Sequence, residues 1–410
     1  MKKILPLSVI VFLLAVLMTV VFQPSFEKLF SQVQKFTASV FFVDSSTKES
    51  LQTTFVQAKN GGRKMKVLIV PGHDNETVGA QFGNTTEAKL NLELGEELYK
   101  LLNKNSALDV TLARMENGYN PILANYFNTN RNIISDFIAS QKNLMTEFLR
   151  TGKLRAVSEI EHNRAPNDTA IKLYGINKWA NENKEDIVIH IHFNDYPRKK
   201  LGSRGEYSGF SIYIPESQFS NAKGSKALAE AVQKRLRIFY PQSDLPREDV
   251  GVVESQDLIA IGAYNTLDGA GLLMEYGYVY EPSFTNRNLR AVVISDLALQ
   301  TYLGLMDFFG EKVTTSGQKQ THFLPFTWEN DLEKKERIGR DILSLQAALV
   351  LEGVYPPAGE TKNDCPLSGK FGSCTEKSVK AFQEKYGILP ATGMVGERTR
   401  AKLNELYQGV

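Results

Sequence analysis

The chain lacks an excess of charge of either sign. Its 410 residues include 48 basic and 46 acidic side chains, which leaves a formal net charge of +2. No global field therefore draws it towards nucleic acid, and we expect no nucleic-acid partner. Histidine is scarce, with five in the whole chain, and low-complexity segments and long-period repeats are absent. The composition is that of a globular protein with room for a large core and a second, smaller domain.

Charge is also missing from the first apolar run, ILPLSVIVFLLAVLMTVVF, at residues 4–22. At about 1.5 Å per residue, a helix of this length matches the hydrocarbon thickness of a bilayer. Lys2 and Lys3 precede the run, so the positive-inside rule places the rest of the chain outside the cytoplasm. We expect an uncleaved anchor at residues 1–23, because MTVVFQPSF lacks a clear small-x-small cleavage site. A cleaved signal peptide, which would give a secreted protein, is the alternative.

Cysteine is nearly absent. The two cysteines, Cys365 and Cys374, bracket the short segment CPLSGKFGSC. Two thiols alone make a poor zinc site, and no histidine lies near them in the sequence. A nearby pair in an exported chain is more often a disulfide. We therefore expect a disulfide, with two free thiols as the alternative.

Residues after the anchor divide into four segments. A polar stretch at 24–64 is typical of a tether. From 65 to 310, short apolar runs alternate with amphipathic helices, which predicts an α/β domain with a mostly parallel sheet flanked by helices. A polar linker at 311–336 and short helical patterns at 337–408 predict a small three-helix C-terminal domain. The main predicted strands are residues 66–70, 108–114, 186–193, 209–215 and 270–278, and the main helices are 87–103, 223–239 and 288–309.

His73 follows the first strand directly, in KVLIVPGHDNET. Functional groups gather at the carboxyl ends of strands in α/β sheets, because the loops there are free of packing constraints. A histidine in a Pro-Gly-His turn is nevertheless more often structural or merely exposed. This position alone therefore leaves metal binding open.

Glu87 stands in the first turn of the next helix, with Thr86 as a suitable N-cap. A carboxylate in the first turn is favoured by the helix dipole, and there it can face the end of the sheet. Compensation of the dipole is the alternative explanation for this glutamate.

The strand DIVIHIHFND places two histidines on one face. Alternate residues of a strand share a face, so His190 and His192 point the same way. Two histidines at the end of a strand are costly to bury without partners. A metal ion is one such partner, and a hydrogen-bonded pair in a polar cleft is the other explanation.

Glu275 follows the apolar run AGLLM, so its carboxylate emerges where a buried strand ends. Desolvation there would raise its pKa to a range suited to proton transfer, although a surface glutamate is the alternative. Together, His73, Glu87, His192 and Glu275 are the parts of a catalytic zinc site: three protein ligands, an open position for water and a carboxylate that shuttles protons. Such a site hydrolyses an unactivated C–N bond.

These motifs together resemble the zinc-dependent N-acetylmuramoyl-L-alanine amidases of the Amidase_3 type. The matching segments between residues 66 and 309 are, in order, VLIVPGHD, TEAKLNL, TLAR, HIHFN and LLMEYGY. The resemblance implies that His73, Glu87 and His192 bind Zn²⁺, and that Glu275 acts as general base and acid. Members of that family cleave the amide between N-acetylmuramic acid and L-alanine in peptidoglycan, which is the expected partner.

Four further positions stand near these motifs. Asp74 occupies a place where the family usually has glycine, which implies a ligand loop of different shape. His190 occupies a place where the family commonly has serine, so it competes as a ligand, orients the ligands or touches substrate. We favour a supporting or substrate-binding role for it, and the same role for Arg114 and Asn194.

The C-terminal segments LSLQAALVLEGVY, SGKFGSCTEKSVKAFQEKYGI and TGMVGERTRAKL resemble the peptidoglycan-binding domain 1 family, a three-helix fold. Residues 120–156 resemble an inserted pair of helices, which is either a regulatory lid or a packing embellishment. The whole chain is then expected to be a membrane-tethered peptidoglycan hydrolase that works in the periplasm or cell wall. A zinc peptidase acting on stem peptides and a non-catalytic wall-binding scaffold are the alternatives, and no protein activator is identified.

Overall fold

The computed structural model describes residues 44–157, 167–197, 202–263, 265–313, 321–335 and 337–408. The anchor predicted at residues 1–23 lies outside these ranges, as does the first part of the predicted tether.

Strands and helices alternate through most of the chain, as the apolar runs and amphipathic segments predict. The strands are β1 (Met65–Pro71), β2 (Gln81–Phe82), β3 (Thr85–Thr86), β4 (Leu108–Leu112), β5 (Arg114–Met115), β6 (Gly118–Tyr119), β7 (Ile187–Asn194), β8 (Ser211–Pro215), β9 (Val252–Ser255) and β10 (Ala270–Tyr278). The helices are α1 (Lys48–Lys59), α2 (Glu87–Leu102), α3 (Pro121–Thr129), α4 (Arg131–Arg150), α5 (Asn167–Asn183), α6 (Ala222–Phe239), α7 (Pro282–Thr285), α8 (Arg287–Phe308), α9 (Arg340–Leu351), α10 (Ser373–Lys385) and α11 (Glu397–Tyr407).

The central sheet has six strands in the order β4-β1-β7-β10-β8-β9. Strands β4, β1, β7 and β10 are parallel, β8 is antiparallel to β10, and β9 is parallel to β8. The predicted mostly parallel sheet flanked by helices is therefore confirmed. Because the carboxyl ends of β1, β7 and β10 lie at the same edge, the loops that follow these strands meet there.

Both faces of the sheet are aliphatic, which is why helices cover both. On one face, side chains such as Ile69 and Ile189 pack against α2, α6 and α8. On the other face, Leu68 and Val188 pack against α3 and α5. Each fully buried aliphatic side chain contributes about 1.5–3 kcal/mol to folding.

One helix among the described residues, α8, is long and apolar enough to cross a membrane by length and composition. Its most apolar window is 72% buried inside the protein, which is typical of a core helix. Burial against α2 and α6 therefore accounts for its apolar character.

Residues 44–64 differ from the predicted tether, because α1 packs onto the α/β domain. Leu51, Phe55 and Ala58 are buried, and the ring of Phe55 stacks on Phe309 with 4.2 Å between the centroids. These three buried residues stand in a mostly polar segment. Three apolar residues on one helix face are too weak a periodic signal to distinguish a docked helix from a tether.

Residues 120–156 contain the expected pair of helices, α3 and α4. Asn120 caps α3 by accepting the backbone N–H of Leu123 at 2.9 Å, and Leu123 is buried against the sheet. Near the end of α4, Met145 packs in a small apolar cluster with Phe219. The two helices therefore cover one side of the α/β domain, and a regulatory role for them stays a prediction.

Helices α9, α10 and α11 form a small C-terminal unit around buried side chains that include Leu345, Val379 and Leu403. Cys365 and Cys374 form the expected disulfide, which closes the loop between α9 and α10.

The predicted linker, residues 311–336, is partly packed where the structure describes it. Phe323 and Trp328 are buried, with exposed fractions of 1% and 2%. The hydroxyl of Thr321 donates to the carboxylate of Asp296 on α8 at 2.6 Å. This segment therefore fastens the C-terminal unit to the α/β domain.

Glu185 lies buried just before the amino end of β7, at the opposite edge from the histidine-bearing loops. Its carboxylate oxygen Oε2 has no hydrogen-bond partner among the described residues. Burial raises the pKa of Glu185 to about 8, even though Lys66 is close enough to oppose the rise. The folded protein therefore retains a proton at this position that the unfolded chain releases at lower pH.

We predict that Glu185→Gln stabilises the protein at pH 8. The folded pKa is raised, so the contribution of this carboxyl is fully present below about pH 4.5 and is lost as the pH rises towards 8. Glutamine cannot ionise, and we expect a gain of about 1–3 kcal/mol in the free energy of unfolding at pH 8, with little change at pH 4. Urea unfolding at both pH values measures it, with the exposed Glu230→Gln as the control. An equal gain at both pH values would contradict the burial of a protonated carboxyl.

Candidate metal centre

His73, Glu87 and His192 converge at the carboxyl edge of the sheet, although they are far apart in the sequence. Each offers a ligand atom, and these atoms all lie within 4.8 Å of one another. His73 Nε2 is 3.1 Å from Glu87 Oε2, and His192 Nδ1 is 2.9 Å from Glu87 Oε1. The structure thus brings together the three side chains that the sequence resemblance implies as zinc ligands.

The backbone at His73 has a φ of 60°, in the left-handed region that few residues other than glycine adopt. Such a conformation persists only where the surroundings hold it firmly, and it is common at functional sites. Two glycines permit the close approach of this loop. A Cβ atom on Gly72 would lie 2.2 Å from the imidazole of His192, and one on Gly79 would lie 2.4 Å from Glu87 Oε2.

Glu87 opens helix α2 and is buried. Thr86 is the N-cap residue, as expected, but its side chain makes no capping hydrogen bond. Instead, the N–H groups of Glu87 and Ala88 donate to the carbonyls of Ala80 and Val78 at 2.8 and 3.0 Å. The first turn is therefore tied to the preceding loop, which holds the carboxylate at the edge of the sheet.

Two buried donors support the backbone just before the first histidine. Arg114, which is 1% exposed, donates to the carbonyls of Gly72 and Ala88 at 3.4 and 2.6 Å. Asn91 donates to the same Gly72 carbonyl at 2.8 Å. Arg114 thus braces the loop and the helix that carry the ligands and does not join the ligand group itself.

Asp74 fixes the shape of the loop around His73. Its Oδ1 accepts the N–H groups of Glu76 and Thr77 at 3.0 and 2.8 Å, and its Oδ2 accepts Lys172 at 2.8 Å. Burial would raise the pKa of Asp74, but these hydrogen bonds outweigh burial and hold the pKa at about 2. The carboxylate therefore stays ionised, and the ion pair ties this loop to α5.

Glu275 lies beside the three ligands. In the pairing of β10 with β7, it stands directly opposite His192. Its Oε2 is buried and has no hydrogen-bond partner among the described residues. Burial raises the pKa of Glu275 well above its usual value, and the carboxylates of Glu87 and Glu248 raise it further. A carboxyl that can hold a proton at this position is suited to proton transfer.

Glu248 is a buried residue that sequence reasoning does not identify. Its Oε1 accepts hydrogen bonds from Tyr213 at 2.6 Å and from Asn194 at 3.3 Å, and its Oε2 accepts one from Ser243 at 2.6 Å. Asn194 therefore contacts Glu248, the carboxylate that raises the pKa of Glu275, and does not join the ligand group. The segment PREDV around Glu248 has no pattern that marks a site, and only the fold reveals its position.

His190 is 1% exposed and does not join the ligand group. Neither of its ring nitrogens has a hydrogen-bond partner among the described residues. Burial, together with the proximity of His192, lowers the pKa of His190 to about 3, so the ring is neutral. A supporting or substrate-binding role for it stays a prediction.

The ligand group fits a zinc ion. Burial alone would raise the pKa of Glu87, but hydrogen bonds with the two imidazoles outweigh burial and hold the pKa well below its usual range. Metal–ligand bonds of about 2.0–2.2 Å in a tetrahedron place ligand atoms roughly 3.3–3.6 Å apart. The observed separations of 3.1 and 2.9 Å, each measured to a different oxygen of Glu87, are slightly shorter than this range. Two imidazole nitrogens and one carboxylate are also a donor set that catalytic zinc sites use.

We predict that Asp74→Ala weakens both the loop and its metal affinity. The change removes the acceptor of two backbone N–H groups and the partner of Lys172. We expect the free energy of unfolding to fall by about 1–3 kcal/mol and zinc affinity to fall about 10–100-fold. Urea unfolding and calorimetric zinc titration measure these effects. Glu76→Ala is the control, because the exposed Glu76 also reaches Lys172, at 3.3 Å, yet should change little. Unchanged zinc affinity in Asp74→Ala would show that the loop does not need this support.

Comparisons with solved structures find amidases of low sequence identity to this chain. Two solved structures with similar folds are the CwlD amidase from Clostridioides difficile in complex with the GerS lipoprotein and the N-acetylmuramoyl-L-alanine amidase from Clostridium difficile 630. The first is 16% identical, with a TM-score of 0.39, and the match covers 60% of this chain and 99% of that one. The second is 19% identical, with a TM-score of 0.38, and the match covers 62% of this chain and 100% of that one. No curated protein matches the sequence.

Family models match both parts of the chain. Residues 339–403 match the model of a peptidoglycan binding domain. Residues 67–287 match the model of the N-acetylmuramoyl-L-alanine amidase family, and this match spans more than half of the 410 residues. The chain therefore belongs to the N-acetylmuramoyl-L-alanine amidase family and is a peptidoglycan amidase.

Proposed function

We propose that this amidase holds a single Zn²⁺ ion with His73, Glu87 and His192, and that Glu275 moves the proton during cleavage of the amide between N-acetylmuramic acid and L-alanine. The observation that supports this best is the convergence of the three ligand atoms within 4.8 Å. When bound, a zinc ion supplies Lewis-acid chemistry and makes water a stronger nucleophile near neutral pH.

Glu87 organises the ligand group. Each oxygen of its carboxylate lies at hydrogen-bond distance from one imidazole, Oε2 from His73 and Oε1 from His192. Oε2 also accepts the backbone N–H of Ala80 at 3.0 Å. The two rings are thus held in position by one buried group, and little rearrangement is needed to bind a metal ion.

Glu275 accounts for the proton transfers. Its carboxylate takes a proton from the attacking water as the water oxygen bonds to the amide carbonyl carbon. The same carboxyl then donates that proton to the nitrogen as the C–N bond breaks, so the peptide leaves with a neutral amine. The buried surroundings that raise the pKa of Glu275 favour the protonated form that the second step requires.

We infer that this chemistry takes place at the cell wall. The C-terminal unit at 337–408 holds the enzyme on peptidoglycan, which raises the local concentration of substrate. This assignment is supported by the family match at residues 339–403. The apolar run at residues 4–22 anchors the chain in the cytoplasmic membrane, with the catalytic part outside. The disulfide agrees with an oxidising compartment.

We predict that Glu275→Gln strongly slows release of peptide from purified sacculi. Glutamine keeps the shape of the side chain but cannot move a proton, and we expect the rate to fall by about 10²–10⁴-fold. Mass spectrometry of the products made by the full-length protein should show lactyl groups free of peptide and new L-alanine amino termini. Cuts between amino acids would indicate a zinc peptidase instead, and full activity of Glu275→Gln would exclude the proposed role.

We also predict one zinc ion per chain. Calorimetric titration of the metal-stripped, full-length protein should give a single site, which His73→Ala and His192→Ala each weaken by at least about 100-fold. His322→Ala is the matched control, because His322 is exposed and lies outside the ligand group. Equal affinity in the His73→Ala variant and the control would place the metal elsewhere.

A further inference from the structure

Ser211 is a buried serine at the start of β8 that the proposed catalytic roles do not use. It is fully buried, and its hydroxyl oxygen Oγ has no hydrogen-bond partner among the described residues. A buried hydroxyl without a partner lowers the stability of a fold, and serine has little apolar surface to offset that loss. Stability alone therefore does not explain a serine at this position.

Strand pairing places Ser211 beside the carboxylate that is proposed to move the proton. In the antiparallel pairing of β8 with β10, Ser211 stands directly opposite Glu275. On the other side of β10, Glu275 stands opposite His192 on β7. Side chains at directly opposite positions share one face of a sheet, with Cβ atoms about 4.5–5.5 Å apart. His192, Glu275 and Ser211 therefore form a row of neighbours at the edge where the metal centre lies.

The backbone of Ser211 is held in place on both sides. Strand β8 lies inside the sheet, between β10 and β9, and the N–H of Ile212 donates to the carbonyl of Gly251 at 2.8 Å. The next row on the same face packs in a small apolar cluster of Tyr213, Ala260, Ile261 and Leu273. The hydroxyl of Ser211 can therefore change direction only by rotation about its own Cα–Cβ bond.

The two oxygens of Glu275 have different surroundings. Oε2 is buried and has no hydrogen-bond partner in the part of the chain that the structure describes, whereas the residue as a whole is partly exposed. Oε1 is therefore the oxygen left to face the open side of the site, where water attacks. The last torsion of a glutamate side chain is loosely defined, so Oε1 keeps this direction only where a hydrogen bond holds Oε2.

The acids near Glu275 cannot supply that hydrogen bond. Glu87 and Glu248 are close enough to raise the pKa of Glu275. Glu87 lies between two imidazoles, and Glu248 accepts hydrogen bonds from Tyr213 and Ser243 at 2.6 Å each. An ionised carboxylate has no proton to donate. The donor for Oε2 must therefore come from another side chain.

The two histidines on this face are less well placed than Ser211 to act as that donor. His192 is a proposed metal ligand, so the ligand group sets the direction of its ring. His190 stands one row further from the edge, opposite Leu273, and is therefore diagonal to Glu275. Diagonal neighbours lie about 7–8 Å apart, whereas directly opposite ones lie about 4.5–5.5 Å apart. By register, Ser211 is the donor nearest to the buried oxygen.

We propose that Ser211 is a positioning residue of the amidase: its hydroxyl donates a hydrogen bond to Oε2 of Glu275 and so directs Oε1 towards the attacking water. Rotation of the serine side chain between staggered positions makes this bond without any movement of the backbone. The inference rests on the proposed role of Glu275 and adds the group that holds it. Ser211 itself neither contacts the substrate nor exchanges a proton.

The variant Ser211→Ala tests this role in the full-length, zinc-loaded protein, with a soluble disaccharide that carries its stem peptide as substrate. We expect kcat to fall about 10–100-fold, the effect of losing a hydrogen bond to a charged group. KM should stay within about twofold, because the serine acts on Glu275 and not on the substrate. Ser211→Thr retains the hydroxyl, and its kcat should stay within about threefold of the wild type.

Ser344→Ala is the matched control. Ser344 is also fully buried, and its Oγ also lacks a partner among the described residues, but it lies on α9 in the C-terminal unit. Both alanine variants should resist urea at least as well as the wild type, because each removes an unpartnered hydroxyl. Equal kcat in the two alanine variants would overturn the proposal. So would a loss of kcat in Ser211→Ala that accompanies a loss of stability, because that result indicates a structural role.

Two further measurements separate this inference from the proposed role of Glu275. Adding Ser211→Ala to Glu275→Gln should lower the residual rate no further, because the serine acts through that carboxylate, and a further tenfold fall would overturn the inference. If Glu275→Gln were fully active, the proposed catalytic role would fail, but a crystal structure of the zinc-loaded protein would still test the bond. We expect Ser211 Oγ about 2.5–3.0 Å from a carboxylate oxygen of Glu275, and a hydroxyl bonded elsewhere overturns the inference.

Discussion

The structure of the site depends on one carboxylate. Glu87 lies between two imidazoles, with one oxygen directed at His73 and the other at His192, at 3.1 and 2.9 Å. Its burial is costly without such partners, and both imidazoles lie at hydrogen-bond distance from it. Glu87 has a fixed position at the start of α2, and the surrounding loops are therefore arranged around it.

The residues that support the site form hydrogen bonds with the backbone of the ligand loop more than with the ligand side chains. Arg114 and Asn91 hold the Gly72 carbonyl, and Asp74 holds the loop on the other side of His73. The ion pair of Asp74 with Lys172 extends this support to α5, which follows the inserted helices. The ligand loop is thus braced from the sheet, from α2 and from α5, which allows the left-handed backbone at His73.

The sequence predicts the fold class and the main elements well, because β1, β7 and β10 are aliphatic runs that end in polar residues. It does not predict that α1 packs onto the domain, because its three buried residues are too few to indicate a buried helix face. For the site, strand-end positions indicate His73, His192 and Glu275. Glu248 could not be found in this way, because it lies in a loop and reaches Glu275 only through the folding of the sheet.

The central claim is that His73, Glu87 and His192 bind one zinc ion. Anomalous diffraction from crystals of the zinc-loaded protein tests it most directly. The account predicts one strong zinc peak about 2.0–2.2 Å from His73 Nε2, His192 Nδ1 and a carboxylate oxygen of Glu87. A zinc peak ligated by other residues, or none between these three side chains, would contradict it.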